Sequence, residues 1–531
     1  VALLLTRQGR VQLARSLYSD VFNSDSYYHF ALGRTTPAWN DDSLPPNPLD
    51  SEYTIKEFRN DIMFVKRLAS TDVCHLARRI DWVSGTVYDP YDDTYSASNP
   101  AYSEATNLAD SNFYVITDEF KVYKCLDNNS DSPSTVKPTK TTNDPEQESD
   151  GYIWKFLFQV TSGDQTKFLD SNYIPVRKLS GNPDFDVNGE VDSISVTNRG
   201  SDYTTASVDI TGDGSGATAT ANIVAGEIDS ITPTNFGSGY TFAFANITGD
   251  GTNAEATVLL GDTEASSTLL QSAVEGAAIP GTIDRIVVTN PGQDYVSGDI
   301  VITITGDGSG AEATATVSAT TGAVTGITVT SAGTGYTWVE ITIGNTFGVG
   351  TSATARAILS PINGHGSNPV EELFGSTIAL VTSLADDSNT DFILGNDFRQ
   401  IGLIKNIKNY AETAVFTETS GTATFIIDVD DSSDYNVDDE ITTDTGGLFK
   451  VAQKTDDGSG TYQVHLIPEI GNITNSSVLT NTTTGASALS INSVTSPEVS
   501  VHTGNVMYLE NRTPISRQVD QVETIKALIK F

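Results

Sequence analysis

His365 stands between two glycines in Pro361-Ile-Asn-Gly-His-Gly366, a setting in which an imidazole could act as a general base. Nucleophilic or acid–base catalysis would need a partner group beside it, and no Ser, Cys or acid stands at a telling spacing from His365. The adjacent acids Asp92/Asp93 and Asp386/Asp387 suggest cleavage of a polysaccharide by paired carboxylates. Neighbours on a strand point to opposite faces, so neither is a natural acid/base pair. With 68 acids in the chain, such neighbours arise by chance. Asp428-Val-Asp-Asp-Ser-Ser-Asp434 has the outline of a calcium loop but lacks the glycine and terminal glutamate of an EF-hand, and reads as a solvated acidic turn. Cys74 and Cys125 cannot form a disulfide framework; they read as reduced residues of a protein assembled in a cytosol, with one bridge between them left open. The expectation is a protein with no catalytic residue, no metal and no cofactor, with a polysaccharide-cleaving enzyme as the weakest of the competing readings.

The chain between Val191 and Leu359 explains what the residues do instead. Four stretches repeat one pattern: Gly200 leads to Tyr203, Gly237 to Tyr240, Gly292 to Tyr295 and Gly333 to Tyr336. Three of them continue into Ile-Thr-Gly-Asp-Gly, at 210–214, 247–251 and 304–308. Alternation such as Ile302-Thr-Ile304 has the period of a half-buried strand, and Gly-Asp-Gly supplies residues that tolerate positive φ in tight turns. The irregular tyrosine spacing argues for tandem β units with loop insertions rather than a strict solenoid. Each tyrosine is expected to pack over a neighbouring strand, although an exposed binding role is the competing reading.

A chain of 531 residues suggests roughly three or four domains. Its net charge is −38, and residues 191–360 contribute −14 through 17 acidic and 3 basic side chains. Such a surface repels nucleic acid and anionic membrane, so neither is an expected partner. The apolar start Val1-Ala-Leu-Leu-Leu5 is too short for a signal-peptide core, and no run is long enough to span a membrane.

In chain order, the apolar stripe of Arg10–Phe22 predicts a short amphipathic helix, Tyr27–Leu32 a strand, and Ser51–Phe64 a second helix. A proline-rich passage lies between them, containing Trp39, Pro45 and Pro46. Arg78, Arg79, Trp82 and Tyr91 fall in a loop-rich passage of cations, acids and aromatics, the residue types that anchor protein contacts. Strands are predicted at Phe113–Ile116, Lys121–Cys125 and Tyr152–Phe158, with a polar loop at 128–150. Further strands are predicted at Thr377–Val381 and Arg399–Ile407, then a second β-rich block from about 412 to 499, and a closing strand at Thr524–Phe531. Pro514 should stop the strand-like Val506–Leu509 from continuing as a central one. Arg512 then belongs on a loop, its guanidinium satisfied by several acceptors.

Gly504-Asn-Val-Met-Tyr-Leu-Glu-Asn-Arg-Thr-Pro514, followed by Asp520-Gln521, resembles the C-terminus of the baseplate wedge protein of T-even-type contractile-tailed phages. Matching islands fall in the same order at Leu32–Trp39, Pro45–Pro48 with Asp50-Ser51, Arg78–Trp82 with Asp89–Tyr91, Val122–Asp127, Asp150–Phe158 and Phe398–Ile401. They cover roughly half the chain. The departures are two β blocks that compact members of the family lack, although Gly-Asp-Gly-Ser-Gly-Ala repeats resemble modules found in phage tail proteins. The resemblance implies an α+β, predominantly β body with short N-terminal helices. It divides into 1–187, 361–411 and 500–531, with antiparallel β-rich insertions at 188–360 and 412–499. It further implies a homodimer in a virion tail baseplate, contacts to other wedge proteins and fibre-attachment proteins, and no enzyme.

The expected function is a structural subunit that holds its neighbours and lets them rearrange at infection. Candidate interface residues are Trp39, Pro45, Pro46, Arg78, Arg79, Trp82, Tyr91, Glu510, Asn511, Arg512 and Pro514, each with an internal loop tie as the alternative. A glycan-binding adhesin or receptor-binding tail protein is the alternative function, leaning on the β units and their tyrosines. If 188–360 is a surface insertion, replacing 190–358 with a Gly/Ser linker leaves a cooperatively folding protein.

Overall fold

The computed structural model describes residues 5–21, 26–34, 39, 41, 43–179, 191–212, 214–224, 226–238, 240, 243–260, 265–348, 350–384, 397–456, 462–516 and 523–531. The chain forms two compact units, one from residues 1–14, 75–377 and 531, the other from 15–74 and 378–530. Both are predominantly β, with antiparallel pairing between their named strands and short helices between them.

In the first unit, Lys121–Asp127 pairs with Ile153–Gln159, flanked by Tyr114–Ile116 and Glu146–Gln147. Both central strands are buried along five consecutive residues, so this sheet is covered on both faces. One face carries Val122, Leu126 and Leu157 into a core with Phe113, Ile174 and Leu373. The other carries Tyr123, Cys125, Trp154 and Phe156 against Tyr88 and Tyr152. These are the strands expected at Phe113–Ile116, Lys121–Cys125 and Tyr152–Phe158.

Residues 191–260 form a six-stranded sheet in the order 243–249, 206–212, 215–224, 227–238, 191–201, 252–260. Its first and last strands lie against each other, so the sheet curls back on itself. Residues 283–359 repeat that order in two pieces, 309–317 through 324–334 and 283–290 to 354–359, with 300–306 paired to 339–345. The interiors are narrow and filled by small side chains such as Ala217, Ala219 and Ala245 in the first and Ala311, Ala313 and Ala355 in the second.

Each tyrosine fills a turn that belongs to a different stretch. Tyr203 lies against Gly249 and Gly251, Tyr240 against Gly214, Tyr295 against Gly350, and Tyr336 against Gly306 and Gly308. A Cβ at Gly251 would stand 2.4 Å from the Tyr203 ring and one at Gly308 2.5 Å from the Tyr336 ring, so only glycine admits them. All four rings are buried, at 4–6 % exposure. The packing expectation is therefore right in kind, but the surface packed on is a turn rather than a strand. Three residues before each ring a glycine adopts φ of +59° to +67°, the left-handed conformation that the chain needs to double back. Asn198, Asn235 and Asn290 hold three of these turns by accepting from the glycine N–H at 3.0 Å.

The two curled sheets are joined by a helix, Ala265–Gly276, that the sequence reading did not predict. Its Val274 is fully buried in the core with Tyr88, Tyr152 and Trp154. Gln271 donates to the Arg177 carbonyl at 2.8 Å, and Glu275 accepts from the Leu179 N–H at 3.0 Å. Ile358 and Val287 from the second curled sheet enter the core beside Val122 and Leu157. The segment treated as one insertion at 188–360 is thus two different things. Residues 191–260 draw their core from themselves. Residues 265–359 supply part of the core of the unit that carries them.

The second unit holds a five-stranded sheet in the order Ser420–Thr422, Ile62–Arg67, Tyr28–Gly33, Asp397–Lys405, Asn505–Ser516. The predicted helix at 51–64 begins as expected, with Ser51 accepting from the Thr54 N–H at 3.2 Å, but it ends at Asp61. Ile62-Met-Phe-Val instead pairs with Tyr28–Gly33, because β-branched and aromatic residues gain more from a sheet partner than from another helical turn. Helix Arg7–Val21 and closing strand Glu523–Lys530 match their expected positions. Residues 425–495 build a seven-stranded sheet on a core of Phe425, Ile427, Phe449, Val451, Val464 and Leu466.

Two buried histidines make the second unit acid-sensitive. Burial, with Arg67 adding repulsion, lowers His29 to about 4, and burial alone lowers His465 to about 4. Each stays neutral in the fold and charges at its ordinary pKa of 6.5 when unfolded, so unfolding takes up protons. Stability is complete above 6.5 and is lost as the pH falls toward 4, by on the order of 3 kcal/mol for each. Denaturant melts across that window should show the slope, and His465→Leu should remove one proton from it. A second expectation separates the two curled sheets. Replacing 191–260 with a short linker should leave a cooperative melt of the first unit, whereas replacing 190–358 should abolish it.

Candidate functional site

Alternation along Lys121–Asp127 places residues 122, 124 and 126 on one face, and Val122 and Leu126 face the core there. Lys124 therefore lies between them, fully buried, in an apolar layer. Its register partner across the sheet is Lys155, also buried, so two ammonium groups are directly opposed. Like charges in that position destabilise a sheet unless something neutralises them.

The neutralising groups come from distant sequence. Glu372, on the short helix Pro369–Glu372, is buried and pairs with Lys124. The same carboxylate accepts from the Gly366 N–H at 3.0 Å and the Asn368 N–H at 3.1 Å. Burial alone would raise Glu372, but the Lys124 charge, His365 and these hydrogen bonds hold it below the ordinary carboxylate range. Lys155 donates to the Asn143 carbonyl, and burial lowers its pKa. His365 stands 3.0 Å from Lys124 through Nδ1 and 2.7 Å from Asp284 through Nε2. Lys124 can only donate, so Nδ1 accepts and the Nε2–H donates to Asp284. The Tyr91 ring closes the cluster, 5.1 Å from the Lys124 ammonium and edge-on to His365 at 5.0 Å.

The glycines around His365 serve this packing. Gly364 and Gly366 have φ of +89° and +85°, and a Cβ on Gly366 would meet Val274 at 2.6 Å. His365 therefore has acids beside it after all, one of them 81 residues away in sequence. With every polar atom of the ring engaged and the residue 7 % exposed, the arrangement is a structural tie rather than a base facing substrate.

The passage 78–95 is drawn into the same junction. Asp92 receives the Arg356 guanidinium in a fork, at 2.7 and 3.2 Å, and Arg285 donates to the Tyr91 carbonyl at 3.1 Å. Asp93 takes no part in this fork, is exposed, and has its pKa raised by partial burial and by Asp92. Arg78 donates to the Ser111 carbonyl at 2.6 Å, Arg79 to Asp81 and the Asp170 carbonyl, and Trp82 to Ser134 at 3.1 Å. Tyr91 is buried. For Arg78, Arg79, Trp82 and Tyr91 the internal loop tie is what the geometry provides.

The other candidates lie in the second unit. Asn505–Ser516 continues through Pro514 as the edge strand of its sheet and not a central one, as the proline requires, but the loop expected at Arg512 is part of that strand. Pairing runs from Asn511 opposite Gln400 to Ile515 opposite Phe398, so Arg512, Thr513 and Pro514 bulge outward. Arg512 meets Glu510 at 3.3 Å, and both are more than a third exposed, so the pair contributes about 0–1 kcal/mol. The expected set of several acceptors on a loop is not what forms. Tyr508 shares Glu510, donating at 2.7 Å. Asn511 bridges, accepting from Gln400 at 2.8 Å and donating to the Pro46 carbonyl at 2.7 Å. Trp39 and Pro45 are half-buried, and Pro46 is exposed.

Asp428 accepts from Ser493, and Asn492 donates to Asp430 at 2.6 Å, so these acids tie their turn to the neighbouring strand Ser493–Thr495. Asp386 and Asp387 lie outside the described residues. Among the described residues no group of three or more His, Cys, Asp or Glu is placed to hold a metal ion. Among them, too, no helix is long and apolar enough to cross a membrane. No protein-family model matches the chain, and no curated protein matches it either.

Lys124→Met should destabilise the first unit by about 3–5 kcal/mol, because it leaves Glu372 ionised and buried without its counter-charge. Lys124→Met with Glu372→Leu should recover much of that loss. Denaturant melts of the three proteins check both statements.

Proposed function

We propose that the chain is a structural subunit of a contractile-tail phage baseplate wedge, which acts by holding neighbouring subunits in register and rearranging with them at infection. The observation that carries this reading is the spatial arrangement of the resemblance. The islands that begin at 32, 398 and 504 lie far apart in sequence, yet Leu32-Gly33, Phe398–Ile401 and Asn505–Pro514 sit on three adjacent strands of one sheet. Islands at 78–82, 89–91, 122–127 and 150–158 likewise build one sheet and its covering loop.

The described chemistry suits a part whose product is geometry. Arg78, Arg79 and Asp92 in the 78–95 passage are spent on internal ties, and the buried cluster is closed to substrate. In this reading the protein is a homodimer in the virion tail, bound to other wedge proteins and to fibre-attachment proteins, with no enzymatic activity and no nucleic-acid partner. The two curled sheets are pairs of a tandem β unit, in which each unit's tyrosine seals a glycine turn of the other, Gly-Asp-Gly in three cases and Gly348-Val-Gly350 in the fourth. A glycan-binding adhesin is the weaker reading, since the tyrosines that suggested it are buried.

Light scattering of the purified chain should give about twice its 56.5 kDa mass. Cryo-EM of tails carrying the chain should place it in the baseplate beside the central hub. Density elsewhere in the particle, or none, would remove the wedge assignment.

A further inference from the structure

The segment between Asp41 and Tyr53 puts large apolar side chains where water reaches them. Leu44 and Leu49 are each 75 % exposed and Tyr53 is 69 % exposed. Between the leucines stand Pro45, Pro46 and Pro48, and the backbone there joins no helix or strand. Three prolines fix φ and remove three N–H donors, which favours an extended ridge.

This ridge is held in place rather than trailing. Leu44 N–H donates to the Asp41 carbonyl at 3.1 Å, and Ser51 N–H donates to the Leu49 carbonyl at 2.9 Å. Asn511 pins the middle through the Pro46 carbonyl at 2.7 Å. Ser51 in turn caps the helix that carries Tyr53. A pre-ordered apolar ridge loses little entropy on docking.

Charge narrows the choice of occupant. Residues 41–57 hold five acids against the single base Lys56, and Asp41, Asp50 and Glu52 are exposed around the ridge. A second copy meeting it face to face would bring these same acids together, in a chain already at −38. We infer that the ridge docks into a groove on a different protein, lined by aromatic rings that grip Pro and Leu and edged by Lys or Arg. This rests on the reading of the chain as an assembly subunit and adds the chemistry of one neighbour.

The test uses the full chain with a photoreactive phenylalanine analogue at position 49, assembled into purified tails. The expected product is a cross-link to another subunit, at a peptide containing Trp, Tyr or Phe together with Lys or Arg. Cross-linking to a second copy of the chain, or to a groove without aromatic and basic residues, overturns the inference. So does a chain that is present in tails but forms no cross-link. A chain absent from every tail overturns the wedge reading itself, and the inference with it. In parallel, the double variant Leu44→Asp/Leu49→Asp should melt with the parent chain but enter tails at least ~10-fold less efficiently. Normal incorporation of that variant would show that the ridge is not a contact.

Discussion

A fully buried lysine facing a second buried lysine across a strand pair cannot persist without a counter-charge, and the first unit is arranged around that demand. Glu372 answers it from a position 248 residues away in sequence. Holding Glu372 there requires the glycine-flanked turn at 364–366, whose Gly366 N–H, together with that of Asn368, completes the carboxylate's hydrogen bonds. His365 in the same turn reaches Asp284 at the start of the second curled sheet, and so fixes that sheet against the body. Arg285 and Arg356 add two more ties from the same sheet to the 88–95 loop. A hydrophobic cluster of equal size could give comparable stability. The charged version adds directionality, since each member accepts only one arrangement of its neighbours.

The two curled sheets solve a different problem. Their interiors are filled largely by alanine and short β-branched residues, which bury little area apiece. The four tyrosines supply the large buried surfaces, and exchange between paired stretches makes each depend on the other. The aspartate of the Gly-Asp-Gly turn takes part as well. Asp250 accepts from the N–H and hydroxyl of Thr204, and Asp307 from those of Thr337, so each turn is latched to the residue after the tyrosine it receives. These hydrogen bonds lower both carboxyl groups, Asp307 to about 2.

An exposed contact and an internal tie draw on the same residue types, which is why the 78–95 passage read as a docking surface. Arg, Tyr, Trp and Asp satisfy one another equally well within a chain and between chains. What separated them was the position of Ser111, Ser134, Asp170, Arg285 and Arg356, whose arrival the local sequence does not announce. The proline-rich ridge is the reverse case. Its leucines have no such partners, and its local chemistry stays on the surface.

The sequence by itself determined the local geometry. The apolar and aromatic residues of Lys121–Cys125 and Tyr152–Phe158 produced strands buried on both faces, because successive side chains of a strand point to opposite sides and each side is covered. Gly-x-x-Tyr specified the positive-φ turns and the buried rings, since only glycine allows both the conformation and the approach. Lys124 was legible as an anomaly, a charge on a face shared with Val122 and Leu126. Tertiary structure alone decided what neutralised it, because Coulomb attraction acts between neighbours in space and carries no mark in the spacing of residues. The same holds for Ile62–Val65, where pairing with Tyr28–Gly33 outweighed the helical pattern. It holds again for Arg512, placed in a bulge by an edge strand that could pass through proline with no N–H to lose.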